Sequence, residues 1–342
     1  MLSFLSSLFT SADRSSDSPD ESLVELAIER VVDATDPRLR AFPNYRKRLY
    51  PGAQRSVAHV QSLVGSLPEP VEISRRSFSA DPRLRAFFAS PDRMQQVVGS
   101  APSMVEFLTN CRGPYPEYIF GLLAPEMQER KTLGMELEGN QVRRDVMQEV
   151  VDFSDHRFFG AAGSEEEARD GIKKRAFDYL AAMALRRIVD VEEKRSELER
   201  RKGLLQRKLN AMQVGNWGLE EMPAKDADDH PDYRSLGEQI SEVEDELMKL
   251  PCNEASLENR FDCINAILEK PEDWLSLRKF DLHVDVMSLK LTDSTDARSK
   301  PLELTKFRAL NGGTRVALFG YFPRAELPPK RDFFAEAGRY LG

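Results

Sequence analysis

Apolar residues along this chain keep three different rhythms, and each rhythm predicts a different kind of element. Over roughly the first 130 residues they fall in short helical clusters. Val57, Val60, Leu63 and Val64 mark one stripe, and Pro43, Pro51, Gly65, Pro68, Pro91 and Pro102 punctuate the rest. Near Lys131 the texture changes. KTLGMELEGNQVRRDVMQEVVDFSDHRFF sets a Glu-Gly-Asn turn between two extended runs, which predicts a β-hairpin. Ser164 with Glu167 then fits a helix-capping box.

A long seam follows, in steps of three and four: Phe177, Leu180, Ala184, Ile188, Val191, Arg195, Leu198, Lys202, Leu205, Leu209 and Met212. One helix from Ile172 to Val214 would span about 64 Å at about 1.5 Å per residue. Glycines and prolines break the pattern over residues 215–232. A second seam then runs through Tyr233, Leu236, Ile240, Val243, Leu247 and Leu250 to Pro251. Net charge is +6 over Gly171–Asn210 and −8 over Glu221–Arg260. Opposite balances on consecutive helices with apolar seams predict an antiparallel helical hairpin, a coiled coil. After Trp274 the period becomes two. Phe280, Leu282, Val284 and Val286 alternate with Asp281, His283 and Asp285, and LELTKFRAL, NGG and TRVALFGYF read as a hairpin turning at Asn311–Gly313.

The expected architecture is therefore mainly α. It has a flexible peptide and linker (1–20), a short-helix domain (21–130), a central hairpin-like segment (131–160), the helical hairpin (164–270) and a small antiparallel β module closed by a helix near Phe333–Tyr340 (271–342). One phrase, DPRLRAF, occurs twice, at Asp36–Phe42 and Asp81–Phe87. It reads as a helix start: Asp caps, Pro takes the first helical position, and Leu and Phe three apart bury together. The phrase's four arginines, Arg38, Arg40, Arg83 and Arg85, resist that reading. Positive charge in a first helical turn costs about 0.3–1 kcal/mol each, so an acidic neighbour or an anionic partner is expected.

Composition narrows the chemistry. The chain has 342 residues, a net charge of −8, 31% charged residues, four histidines and three cysteines. The negative sum argues against a general affinity for nucleic acid. The stretch Arg38, Arg40, Arg46, Lys47, Arg48 and Arg55, with Tyr45 and Tyr50 among the charges, is the best place to meet an anionic partner, together with Arg83 and Arg85. No phosphate-binding loop, dinucleotide fingerprint, zinc-protease motif or nucleophile elbow is present. Asp152, Asp155 and His156 are the candidate metal ligands, although a regular strand would aim Asp155 and His156 to opposite faces. No cofactor is expected. Cys111, Cys252 and Cys263 lack paired spacing, which suggests reduced thiols and a cytoplasmic location. No apolar run is long enough to span a membrane. Residues 1–9, with Met1, Phe4, Leu5 and Leu8 on one helical face, are a candidate for peripheral membrane or partner contact.

Three functions follow in order of preference. The first is a non-enzymatic scaffold or adaptor that engages a protein partner, or another copy, through the helical hairpin. Its seam is Leu180, Ile188, Val191, Leu198, Leu205, Leu209, Leu236, Ile240, Val243 and Leu247. The second is a metal-dependent enzyme centred on Asp152–His156. The third is a nucleic-acid-associated factor using the basic N-terminal region.

Overall fold

A computed structural model describes residues 20–111, 113–138, 141–215, 231–250, 257–285, 289–291, 300–309 and 314–328. The turn expected at Asn311–Gly313, the Gly-Asn turn at 139–140, most of the break at 215–232, the helix expected near Phe333–Tyr340 and the peptide 1–9 lie outside these residues. Two compact units divide the chain. One takes Ala58–Phe177 and the part from Glu272 onward; the other takes Pro19–Val57 and Asp178–Pro271.

The first unit is built on a six-stranded sheet. Its strands are β1 (Val71–Glu72), β2 (Tyr118–Glu138), β3 (Gln141–Ala162), β4 (Leu275–Val284), β5 (Lys300–Ala309) and β6 (Arg315–Pro323). They run in the order β3-β2-β6-β5-β4, with β1 parallel against β6 and every other pairing antiparallel. The sheet curls into a half-barrel, and β3 shows why. At three places it carries one residue more than β2, and each extra stretch holds a residue of positive φ: Asp145 at 63°, Asp155 at 40° and Gly160 at 65°. Such bulges bend a strand and deepen its twist. The curl is tied across its mouth by Leu289 and Lys290, which bridge to Val150 of β3 and Val284 of β4.

One face of the sheet is filled by four short helices: α3 (Arg75–Ala80), α4 (Pro82–Phe87), α5 (Pro91–Gly99) and α6 (Pro102–Asn110). Leu84, Phe87, Met94, Val98 and Met104 join Leu123, Phe153, Val284, Leu304 and Phe322 in a single core. In β6 every residue from Val316 to Gly320 is buried, so both faces of this strand are covered. Gly320 has no choice of residue: a Cβ there would come within 2.5 Å of the Val71 carbonyl, where β1 lies alongside.

This sheet overturns the expectation of a mainly α chain with a small terminal β module. The central hairpin and the terminal strands are one structure, joined where Tyr118–Leu123 of β2 pairs with Leu318–Pro323 of β6. The physical reason lies in burial. A strand covered on both faces loses its alternation and reads as a continuous apolar run. YIFGLLA, the start of β2, is an apolar run with Ile119 and Leu123 buried on one face and Phe120 and Leu122 half-buried on the other, placed by the sequence reading in the preceding helical region.

The second unit is helical. It holds α1 (Glu21–Thr35), a 3₁₀ turn (Pro37–Ala41), the start of α2 (Tyr45–Gly65), α8 (Pro231–Lys249), α9 (Leu257–Leu268) and, from Asp178, most of α7 (Glu165–Gly215). A single turn, α10 (Pro271–Trp274), leads on to β4. Asp20 caps α1 by accepting the Ser22 N–H, and the helix buries Leu23, Val24, Ala27, Ile28, Val31 and Val32, one apolar stripe. The two helices expected to form the hairpin are unequal in length. α7 has 51 residues and α8 only 19. Among the described residues no helix is long and apolar enough to cross a membrane.

Candidate functional site

The segment Asp152–His156 sits on the second β3 bulge, opposite Pro125. Proline offers no N–H to the ladder, so β3 loops outward there and frees two backbone carbonyls. Arg315 of β6 takes both: one guanidinium nitrogen donates to the Ala124 and Asp155 carbonyls, at 2.9 Å each. Its other nitrogen meets the Asp155 carboxylate. Arg157 donates to the same carboxylate at 3.0 Å. The Arg315 hydrogen bond, reinforced by Arg157, holds the Asp155 carboxyl below its usual range.

His156 turns the other way. Its Nε2 lies 2.6 Å from the Phe87 carbonyl, and its ring stacks on Phe88 with centroids 4.5 Å apart. That contact requires the Nε2–H tautomer, donating to the carbonyl. Burial among these aromatics lowers the imidazole pKa. Asp152 faces Arg130 instead, at 3.7 Å. The three candidate ligands therefore serve three separate partners. Among the described residues no group of three or more His, Cys, Asp or Glu side chains is arranged to hold a metal ion. The arrangement is a structural pin that fastens the bulge to β6 and to α4. Beyond the end of β4, Asp285 accepts the Leu289 N–H at 2.9 Å and so anchors the bridge across the half-barrel.

The basic candidates are also spoken for. Arg38 folds back onto Asp36, at 3.0 Å, and Arg83 onto Asp81, at 2.6 Å. Arg40 spans Glu29 and Asp33, and Arg46 and the Tyr45 hydroxyl share Glu29. Burial pushes the Glu29 carboxyl up, but Tyr45, Arg40 and Arg46 together overcome it and leave the group below its ordinary value. Arg48 lies 4.5 Å above the Phe261 ring and 3.6 Å from Glu258. Of the eight basic candidates, Lys47, Arg55 and Arg85 are exposed with no partner among the described residues. The other five are engaged by internal contacts.

No family model, curated protein or solved structure matches this chain.

The helical seam divides by depth. Leu180, Ile188, Leu198, Leu236 and Val243 are buried, whereas Val191, Leu205, Leu209, Ile240 and Leu247 are half-buried. One ion pair, Lys202 to Glu244 at 2.7 Å, joins α7 to α8. Arg30 of α1 grips Asp178 of α7 with two hydrogen bonds of 2.7 and 2.9 Å. Large apolar side chains stay in solvent at Leu204 of α7 and Met248 of α8, 61% and 68% exposed.

Two features escaped sequence reasoning. A shallow groove of 340 Å³ lies among Ser103, Glu106, Asn110, Cys111 and Arg175. No short pattern announces it, because its lining comes from α6, β3 and α7. The other is the far end of the β2–β3 hairpin, where Leu133, Met135 and Met147 are exposed. Apolar residues on a β-strand are ordinarily assigned to a core, so their exposure has no sequence signature.

Proposed function

We propose that this chain is a non-enzymatic interaction scaffold whose helical arm, α7 beyond Asp178 together with α8, is the surface gripped by a protein partner. The observation that carries the reading is a contrast. Most candidate groups for metal or anion binding are taken up by internal contacts, while the arm keeps half-buried seam positions and exposed Leu204 and Met248. Opposed charge along the two helices, +4 over Tyr179–Gly215 and −4 over Pro231–Lys249, adds a means of choosing a partner by sign. The coiled-coil pairing of the arms is part of the proposal, supported by the Lys202–Glu244 ion pair. So is a cytoplasmic location, which suits the free thiols of Cys111 and Cys263. Internal contacts of Asp152, Asp155, His156 and five of the basic candidates favour this reading over the metal-enzyme and nucleic-acid ones.

Photo-crosslinking in cells tests this. A crosslinker at position 204 is expected to capture a discrete protein that a crosslinker at Leu26, an exposed position on α1, does not capture. Leu204→Glu with Met248→Glu is expected to abolish co-purification of that protein. Equal labelling from both positions, or co-purification that survives the double variant, overturns the proposal.

A further inference from the structure

The two strands of the central hairpin are longer than the sheet they belong to. Pairing of β2 with β6 ends at Glu126–Arg315, and the last hydrogen bond runs from the Met127 N–H to the Thr314 carbonyl. From Gln128 to Glu138, β2 pairs with β3 alone among the described residues. This stretch is a two-stranded ribbon with an open outer edge. Strand alternation carries on from Met127, so Glu129, Lys131 and Leu133 direct their backbone N–H and C=O groups toward that edge, while the Met135 carbonyl accepts from the Gln148 side chain at 3.2 Å. The side chains follow the same parity. Ile119, Leu123 and Met127 belong to the core, and the same face continues into Leu133 and Met135, with Met147 opposite Leu133. There the cover stops: Leu133, Met135 and Met147 are 63%, 68% and 65% exposed. A two-stranded ribbon with an open edge and an uncovered apolar face is marginal in water and a ready template for another strand.

We propose that the strand it receives is the same edge of a second copy of this chain, paired antiparallel about a two-fold axis. Charge order along β2 selects that occupant. The sequence places Arg130 and Lys131 before Leu133, and Glu136 and Glu138 after it. Antiparallel pairing centred on Leu133 sets position 130 opposite 136 and position 128 opposite 138, and the two-fold axis repeats each pair. Arginine then faces glutamate at both ends, whereas a parallel arrangement stacks like charges side by side. The product is a four-stranded sheet, β3-β2-β2-β3, whose apolar face holds Leu133, Met135 and Met147 from each copy. An isologous contact of this kind closes on itself and ends at a dimer. Lys131 on the edge discourages indiscriminate pairing with uncharged strands. The ribbon shares no residue with the helical arm, so this proposal and the scaffold reading can fail independently.

Sedimentation velocity on the full chain is the test, with thermal unfolding as a folding control. The wild-type chain is expected to dimerise reversibly. Arg130→Glu, at an exposed side chain, is expected to weaken the dimer by about tenfold or more by setting glutamate against glutamate twice. Arg130→Glu combined with Glu136→Arg restores the opposition and is expected to restore the dimer. Independently, Leu133→Cys in a Cys111→Ser background is expected to form a disulfide-linked dimer under mild oxidation, because the two residues meet at the axis. A wild-type monomer at all concentrations, a dimer indifferent to Arg130→Glu, or a Leu133→Cys chain that does not cross-link each overturns the proposal.

Discussion

The two copies of DPRLRAF share seven residues and the same cap, yet they are docked by different means. In each, the aspartate accepts the backbone N–H of the arginine two residues on, at 3.0 Å for Asp36 and 2.8 Å for Asp81. Each arginine then turns its guanidinium back onto that carboxylate. For Arg38 and Arg83 this removes the objection to positive charge in a first helical turn, because the cap itself supplies the counter-charge. Leu39 and Leu84 are both fully buried. There the likeness ends. Copy one forms a five-residue 3₁₀ turn that stops at Phe42, and copy two a six-residue α-helix that includes Phe87. Pro43 follows the first copy and Phe88 the second. A residue before proline is excluded from helical backbone angles, so Phe42 is extended and its turn is tightened.

What each copy meets differs more. Asp36 receives a second arginine, Arg260 of α9, which also holds Glu192 at 2.7 Å. Phe42 stands edge-on to Phe261, the next residue of α9, with centroids 5.5 Å apart. In copy two, Phe87 stands edge-on to Phe153 of β3 at 4.8 Å, while His156 bonds the Phe87 carbonyl. One copy is clamped by charge at its first residue, the other by aromatics at its last. A seven-residue phrase specifies a cap; the residues around it specify the dock.

The largest expected effect tests the aromatic end. Phe87 is 3% exposed within the core of the first unit. Phe87→Ala is expected to cost about 3–5 kcal/mol, and Phe42→Ala, at a half-buried position, clearly less. Urea denaturation of both variants checks the order; equal losses would mean that the two docks do not differ at this end.

The charged end is expected to show the reverse order with smaller numbers. Asp36 is 5% exposed and serves two arginines, so Asp36→Ala strands Arg260 beside Arg38 and is expected to cost about 2–4 kcal/mol. Asp81 is less enclosed and serves Arg83. Asp81→Ala removes an ordinary cap and is expected to cost about 1 kcal/mol. Adding Arg260→Met to Asp36→Ala is expected to recover part of the loss, since the second arginine is then gone; a purely additive double variant would argue against the clamp. The measurement is again the unfolding free energy of the four chains.

These comparisons also mark where sequence stopped being informative. Asp-Pro at a helix start is legible because capping and proline geometry act within three residues. The arginine's return to its own aspartate acts over two, and reading the pair together as one local motif would have found it. The sheet was harder. Apolar parity in β3 shifts between Phe153 and Phe158, a trace of the Asp155 bulge, but a shift alone does not say which strand lies alongside. Asp152, Asp155 and His156 were singled out by residue type, and the bulge then sent them to unrelated partners, Arg130, Arg315 and the Phe87 carbonyl. Arg260, 224 residues from Asp36, had no local signal at all.

The smallest effect separates the docks by pH. His156 is held below its ordinary pKa by burial, so as pH falls the unfolded chain binds a proton at about 6.5 while the folded chain still resists. Stability is therefore full above about pH 6.5 and declines as the pH drops from there toward the folded value. Only copy two leans on this imidazole. His156→Gln keeps a side-chain donor for the Phe87 carbonyl and removes the titration, so its melting temperature is expected to fall less between pH 7 and pH 5 than that of the wild-type chain. The carboxylates contribute at lower pH: Asp155 and Asp81 are both depressed, and their contribution is lost only as pH falls through values below about 3.8. The difference between His156→Gln and wild type should thus open below about pH 6.5, above the range in which the two carboxylates titrate. A wild-type curve that is flat from pH 7 to pH 5, or one that Gln does not alter, would mean that His156 is solvated and that the aromatic contacts of Phe87 and Phe88 hold copy two without it.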